Sequence, residues 1–257
     1  MNASEIGLIV AASAGGGIMN AMAGGGTILT YPALLFAGES AITANATSTI
    51  ALWPGAATSM YGYRHEVRPN AAWLRVLFLP SLLGGAIGAV LLLRTPVKIF
   101  EGMAPFLILF ATVLFMVQGL LSKRAGQDPP ADRKGPGRAA AAWLFQLGIG
   151  IYGGYFGAGI GILMLAVLGF MGLADIHAAN GVKNFFGMCI NGVAAAWFIL
   201  QGAVDWPAAL YMIAGAMAGG YAGARFARRI GRSRARAAVV VIGVLVAALL
   251  LWRQSRG

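Results

Sequence analysis

The amino-acid sequence predicts an all-α, polytopic membrane protein built from two inverted repeats of one helical unit. Composition is the first observation, because 59% of the 257 residues are hydrophobic, 11% are charged and the mean hydropathy is +0.76. Long uncharged runs are the second observation, since most of them reach the roughly 20 residues that cross a hydrocarbon core about 30 Å thick. The third is an internal repeat at a constant spacing.

The repeat becomes visible when the sequence is shifted by 135 positions. This shift carries Ala44-Asn45 onto Ala179-Asn180 and Gly84-Gly85 onto Gly219-Gly220. The spacing holds without a gap over residues 15–94, which chance matches between abundant glycines would not do. Between the copies, the segment 123–138 combines glycines and prolines with seven charges, so we predict a solvated linker there.

Each copy is predicted to contain a glycine-broken helical hairpin followed by three transmembrane helices. The first copy, residues 1–122, has a hairpin at 6–38 and helices at about 42–62, 72–93 and 101–121. The second copy, residues 139–257, has a hairpin at 139–174 and helices at about 180–204, 206–226 and 237–252.

The placement of lysine and arginine favours a hairpin over a single span for each glycine-broken run. If both runs are hairpins, 15 basic residues lie on one side of the membrane and 4 on the other. If both runs are single spans, the best division is 10 against 9. A hairpin gives each copy an odd number of crossings, so the second copy is upside down relative to the first. Both termini are then external and the linker is cytoplasmic.

The glycine breaks of the two hairpins are the first candidate site. Unwound backbone without side chains lets N–H groups point at a ligand, and the N-terminal ends of half-helices favour anions. Close helix packing through small residues is the alternative explanation, and it stays open for these glycines. The candidate substrate-binding residues at the breaks are Gly24, Gly25, Gly26, Thr27, Gly157, Gly159 and Gly161.

A polar cluster at the start of the next helix in each copy is the second candidate site. The first cluster contributes Asn45, Thr47 and Ser48, and the second contributes Asn180, Lys183 and Asn184. A helix N-cap accounts for one such residue per helix but not for a run of them. Lys183 either faces the site or extends its ammonium group to the membrane interface. We favour the site, because Lys183 closely follows Asn180.

The remaining polar residues restrict the class of function. Every Asp and Glu bounds an uncharged run, so a carboxylate proton relay through the core is missing. Two separate histidines and the single Cys189 make no metal site, and no cofactor is predicted. The net charge of +11 comes from short segments between apolar runs, so it reflects membrane topology and not nucleic-acid binding.

Inverted repeats with broken helices are typical of secondary transporters, so we predict alternating-access transport of a small anion. An anion channel is the first alternative, because it uses the same donors but needs a continuous pore. A lipid-modifying membrane enzyme ranks below it, since the sequence lacks the hydrolase and metalloprotease motifs. The predicted partners are the anion and the lipid bilayer, and a homodimer is left open.

At these residues the sequence resembles the TauE/SafE sulfite exporter family. The resemblance runs from the glycine-rich opening through Tyr31-Pro32-Ala33-Leu34 and Asn45–Thr49 to Gly202–Trp206 in the second copy. It implies export of sulfite, or of an organosulfonate such as sulfoacetate, across the bacterial inner membrane. It also implies that the hairpin glycines and the Asn45 and Asn180 segments form the binding site. The second copy departs from the first by having Val182 and Lys183 where the first has Thr47 and Ser48.

Overall fold

The computed structural model describes residues 1–22, 24–62, 71–125, 136–171, 173, 175–226 and 232–256. Ten helices and no strand occur among these residues, so the predicted all-α class is confirmed. The helices of the first copy are α1 (Ala3–Met22), α2 (Thr27–Phe36), α3 (Ala41–Gly62), α4 (Ala71–Arg94) and α5 (Val97–Ala125). Those of the second copy are α6 (Pro136–Tyr155), α7 (Ile160–Phe170), α8 (Ile176–Leu200), α9 (Trp206–Phe226) and α10 (Arg232–Arg256).

Some helix ends differ from the predicted ones. Helix α8 ends at Leu200, not near residue 204, because the chain turns at Gly202, where φ is +65°. The N–H of Ala203 then donates to the carbonyl of Phe198 and closes the helix. At the linker, α5 continues to Ala125 and α6 begins at Pro136, so both helices extend into the predicted 123–138 segment. Pro136 suits a first helical position, where its missing N–H is not needed.

The surface of the helices is apolar, as expected of a protein in lipid. Within the part of the chain that the structure describes, three segments are long and apolar enough to cross a membrane: Leu74–Arg94, Val97–Val117 and Ala178–Leu200. Three shorter apolar helical segments are Thr27–Phe36, Ile160–Gly169 and Val240–Ser255. Large hydrophobic side chains such as Leu144, Phe106, Leu210 and Leu245 are more than half exposed on the outside of the bundle. Apolar surface on this scale is costly in water and neutral in a hydrocarbon core.

The chain reverses direction at the first glycine break. Helix α1 closes with a hydrogen bond of 3.1 Å from the Gly24 N–H to the Met19 carbonyl, and Gly24 has a φ of +74°. After the break, Gly26 lies directly against the backbone of Gly16, and Leu29 lies against Gly15. Gly16 and Gly26 are ten residues apart, so this contact requires α2 to fold back along α1 rather than to extend it.

The second break repeats this local structure. The N–H of Gly157, which has a φ of +81°, donates to the Tyr152 carbonyl at 3.1 Å. Tyr152 also donates its hydroxyl to the carbonyl of Ala158 at 2.7 Å, which fixes the unwound segment before α7 begins. In both copies, therefore, the long first helix ends at a glycine with positive φ and a short helix follows.

Glycines let the two copies approach each other at backbone distance. Helix α1 packs on α9 and α4 packs on α6, so the first helix of each copy lies against the fourth helix of the other. A side chain on Gly219 would overlap the carbonyl oxygen of Ala14, and one on Gly88 would overlap that of Ile151. Small residues at such contacts allow extensive van der Waals packing, which is the main source of helix association in lipid.

The helix contacts follow one rule throughout the fold. If the first five helices are exchanged with the last five, the principal packed pairs recur: α3 on α9 becomes α8 on α4, and α1 on α2 becomes α6 on α7. The packed pairs α3–α8 and α5–α10 are unchanged by this exchange. The two copies therefore interlock, and the region where α3 meets α8 receives equivalent residues from both.

Candidate functional site

The two glycine breaks meet near the centre of the bundle. A Cβ on Gly24 would lie 2.8 Å from the Cα of Gly161, so only glycine permits this backbone contact. A Cβ on Gly25 would lie 3.6 Å from the backbone nitrogen of Gly159 and would overlap the ring of Phe115. The breaks are thus in contact across the two copies, and Phe115 of α5 covers them on one side.

A cavity of about 40 Å³ lies next to this contact, between α3 and α8. Both copies contribute to its wall, and three repeat-equivalent pairs face each other there: Thr49 with Asn184, Leu52 with Gly187, and Ala56 with Asn191. Its lining residues are Asn20, Gly24, Thr27, Thr49, Leu52, Ala56, Gly157, Ile160, Gly161, Met164, Lys183, Asn184, Gly187 and Asn191. The predicted residues Gly24, Thr27, Gly157, Gly161, Lys183 and Asn184 are therefore gathered in one place.

Lys183 makes the cavity positive. Its side chain is 2% exposed and lines the cavity, so it does not extend to the membrane interface. Nor does any Asp or Glu line the cavity within the described part of the chain. An ammonium group on the wall attracts an anion that enters the cavity, and the attraction is stronger in the protein interior than in water.

Asn184 supplies a hydrogen-bond donor beside Lys183. Its side chain is 6% exposed, and its Nδ2 has no hydrogen-bond partner among the residues that the structure describes. A buried donor without a partner costs about 1–3 kcal/mol. Since Asn184 also lines the cavity, an acceptor placed there would recover that free energy.

The hydroxyl groups of the first polar cluster lie outside the cavity and bond to protein. The Ser48 hydroxyl bonds to that of Thr30 and holds α2 on α3. Thr47 Oγ1 accepts a bond of 3.0 Å from the N–H of Asp205, and Asn45 Nδ2 donates to the Tyr155 carbonyl at 2.9 Å. Ser48 therefore positions the first hairpin, Asn45 the second hairpin and Thr47 the α8–α9 loop around the cavity.

Asn180, Gly25, Gly26 and Gly159 also lie outside the cavity wall. Asn180 is buried in α8, one turn before Lys183, and is not an N-cap because α8 begins at Ile176. Gly25 and Gly26 both donate their N–H groups to Asn20 Oδ1, at 2.8 and 2.9 Å. The side chain of Asn20 thus occupies the two backbone donors that the sequence suggested for an anion.

Sequence reasoning missed the apolar part of the wall and two of its amides. The candidate substrate-binding residues did not include the following lining residues: Thr49, Leu52, Ala56, Ile160, Met164, Gly187, Asn20 and Asn191. A signal for part of this set was present. Residues 49, 52 and 56, and likewise 184, 187 and 191, are spaced by three and four positions, which places each set on one helix face.

Two glycine substitutions distinguish the loss of stability caused by the contact between the breaks from the loss caused by backbone strain. Gly24 and Gly38 both have positive φ, so alanine at either position costs about 1–2 kcal/mol. Only at Gly24 would the new methyl group meet another chain segment, because a Cβ on Gly38 has nothing within 4 Å. We expect Gly24→Ala to lower the melting temperature more than Gly38→Ala, by the equivalent of about 1–3 kcal/mol. Equal melting temperatures for the two purified variants would contradict the contact.

The loop before α3 carries a carboxyl group that titrates near neutral pH. Burial, followed by a hydrogen bond with Asp205 and the charge of Asp205, raises the pKa of Glu39 from 4.5 to about 7. Because the folded protein binds this proton more tightly than the unfolded chain, the stabilisation is present below pH 4.5 and is lost as the pH rises through 7. We expect the melting temperature to fall between pH 5 and pH 8, and Glu39→Gln to reduce that fall. An unchanged pH profile in the variant would assign the dependence to another group.

Comparison with known proteins places the whole chain among membrane transporters. The family model described as sulfite exporter TauE/SafE matches residues 8–250. A probable membrane transporter protein of Haemophilus influenzae is 32% identical over 245 residues, which cover 92% of this chain and 91% of that protein. The probable membrane transporter protein YfcA of Escherichia coli K12 is 26% identical, with 92% and 86% covered. A probable membrane transporter protein, ORF9, of Sinorhizobium is 27% identical, with 91% and 88% covered. No solved structure matches the chain.

Proposed function

Because the chain belongs to the TauE/SafE sulfite exporter family, it is a multi-pass membrane transporter, and we propose that it carries a small sulfur-containing anion. The substrates that we propose are sulfite and organosulfonates such as sulfoacetate. All of them present several oxygen atoms that share a negative charge. The resemblance that the sequence suggested is confirmed at the level of the family. The family description suggests a sulfur-containing substrate, and the cavity supports a small oxyanion.

The observation that carries this proposal is that two consecutive residues, Lys183 and Asn184, both line the cavity. Lys183 is a buried cation, and Asn184 Nδ2 is a buried donor without a partner among the described residues. An oxyanion would accept a charge-assisted bond from the ammonium group and a second bond from the amide. Asn184 would then recover part of the free energy that the burial of its donor costs.

The volume of the cavity also supports a small substrate. About 40 Å³ holds on the order of three water molecules, since one needs roughly 10–15 Å³ by this measure. A lipid chain does not fit such a space, whereas a compact anion needs only modest widening of it. The cavity therefore favours a transporter of small ions over an enzyme that acts on lipid.

We propose that transport uses alternating access between two inverted repeats. The uneven division of basic residues supports the inversion, and the exchange of helix contacts between the copies supports a twofold relation. Helices α1, α3 and α9 pack together through glycines, as do α4, α6 and α8. Movement of one group relative to the other would open the cavity between α3 and α8 first to one side of the membrane and then to the other.

Export from the cytoplasm is the direction that we propose. In a bacterial inner membrane the potential is negative inside, and it drives an anion outward with about 2.3 kcal/mol per charge per 100 mV. None of the cavity residues in the described ranges is a carboxylate that could carry a coupled proton. The potential and the substrate gradient together would then suffice.

Flux measurements in proteoliposomes test the proposed function. Vesicles that contain the purified chain should take up radiolabelled sulfite or sulfoacetate faster than empty vesicles, and an inside-positive potential should accelerate the uptake. The rate should saturate with substrate concentration, whereas a channel would give a much larger flux that does not saturate. Uptake no faster than in empty vesicles for sulfite, sulfoacetate and taurine would refute the proposal.

A further inference from the structure

Asn20 connects the first glycine break to the cavity. Its Oδ1 accepts hydrogen bonds from the N–H groups of Gly25 and Gly26, and its side chain is part of the cavity wall. Both glycine nitrogens are donors, so the atom that faces them must be the carbonyl oxygen of the amide and not its NH₂ group. These two hydrogen bonds fix the orientation of the Asn20 amide.

This orientation leaves the NH₂ group of Asn20 on the branch of the amide that does not face the glycines. Two bonds from backbone donors polarise the amide and make its own N–H groups stronger donors. Those backbone donors belong to the N-terminal end of α2, which carries partial positive charge. The amide therefore transmits the positive end of α2 toward the cavity.

A second observation at the same cavity points independently to an acceptor. Asn184 lines the cavity and is more than nine-tenths buried, and its Nδ2 has no hydrogen-bond partner within the described residues. The repeat-equivalent position to Asn20 is occupied by Tyr155, so only the first copy can supply this amide. The first copy contributes Asn20 and the second contributes Asn184 and Lys183, and an anion between them would be held by both copies.

We propose that Asn20 is a specificity-determining residue that donates from Nδ2 to an oxygen of the substrate and selects oxyanions over halides. The proposal rests on the proposed function. Asn20, Asn184 and Lys183 supply donors from three different residues around the cavity, which suits a sulfite or sulfonate group with several oxygens. A sulfite or sulfonate group presents separate oxygens and can accept from donors on different walls at once, whereas chloride is one spherical acceptor that can shift toward the two donors that remain when the third is removed. Loss of Asn20 therefore weakens oxyanion binding more than halide binding.

A rival role for Asn20 makes the opposite prediction. If its carbonyl oxygen only occupies the place of the substrate, the anion displaces Asn20 and binds the N–H groups of Gly25 and Gly26 itself. Removal of the side chain would then expose those donors and tighten anion binding. The sign of the effect of Asn20→Ala distinguishes the two roles.

The test compares sulfite and chloride binding to the full-length purified chain. Asn20→Asp keeps an oxygen for the glycine N–H groups but replaces the donor with a second acceptor, so the hairpin should remain folded. Asn20→Ala removes the donor without adding charge. We expect each variant to weaken sulfite binding roughly tenfold or more, which is the range for one hydrogen bond to a charged group. Chloride binding should change much less in Asn20→Ala.

Asn191→Asp serves as the control for charge, because Asn191 lines the same cavity. A charge effect alone should weaken sulfite binding to a similar extent in Asn20→Asp and Asn191→Asp. Sulfite binding by Asn20→Ala that is as tight as wild type, or tighter, would overturn the role of Asn20. If Asn20→Ala does not fold, wild-type sulfite affinity in Asn20→Asp would overturn it equally. Wild-type protein that neither binds nor transports sulfite or sulfonates would overturn the proposed function, and this proposal with it.

Discussion

Lys183→Met is expected to reduce sulfite flux in proteoliposomes by roughly 10- to 100-fold, which corresponds to the loss of one charge-assisted hydrogen bond. Methionine has a similar length and fills the same volume, so the cavity keeps its shape while its positive charge disappears. The melting temperature of the purified variant is measured alongside the flux, so that a loss of flux is assigned to the missing charge only if the protein remains folded.

Two further variants test whether the loss of flux depends on the charge at position 183 rather than on any lysine-to-methionine change. Lys183→Arg keeps the charge and should retain more flux than Lys183→Met, although the larger guanidinium group fits a small cavity poorly. Lys98→Met makes the same chemical change at an exposed position of α5 and should leave flux unaltered. Full flux in Lys183→Met, with the protein folded in the vesicles, would show that the buried charge does not bind substrate.

Gly219→Ala is expected to destabilise the protein, although alanine is a better helix former than glycine at this position within α9. The added methyl group would overlap the carbonyl oxygen of Ala14, which is backbone and cannot move away by changing rotamer. Helices α1 and α9 must then separate, and overpacking of this kind costs about 1–3 kcal/mol or more. The measurement is the melting temperature of the detergent-solubilised protein, together with the yield of folded protein from the membrane.

Gly148→Ala is the matched control for that substitution. Gly148 lies within α6, and a Cβ at this position has nothing within 4 Å. Alanine is a better helix former than glycine by about 0.5–1 kcal/mol, so Gly148→Ala should be neutral or stabilising. Similar melting temperatures for Gly219→Ala and Gly148→Ala would mean that α1 and α9 are not in backbone contact.

The glycines show how far sequence could predict the site. Consecutive glycines in an apolar run predicted an unwound segment, because such a segment needs positive φ or close backbone approach, and Gly24 has both. Sequence could not predict which partner takes the freed N–H groups. Asn20 folds back onto the two glycines that follow it by five and six residues, and the geometry of the turn decides that contact.

The sequence by itself determined the all-helical membrane class, the family and the presence of a lysine in the second polar cluster. These properties follow from hydropathy, from repeat spacing and from residue type, which do not depend on the rotation of any helix. Only the tertiary structure decided which members of each polar cluster face the cavity. Successive residues of a helix point about 100° apart, so Thr47 and Ser48 bond to protein while Thr49, next in the chain, lines the cavity. Which of these faces meets the cavity depends on how α3 packs against α8, and that packing involves residues far away in the sequence.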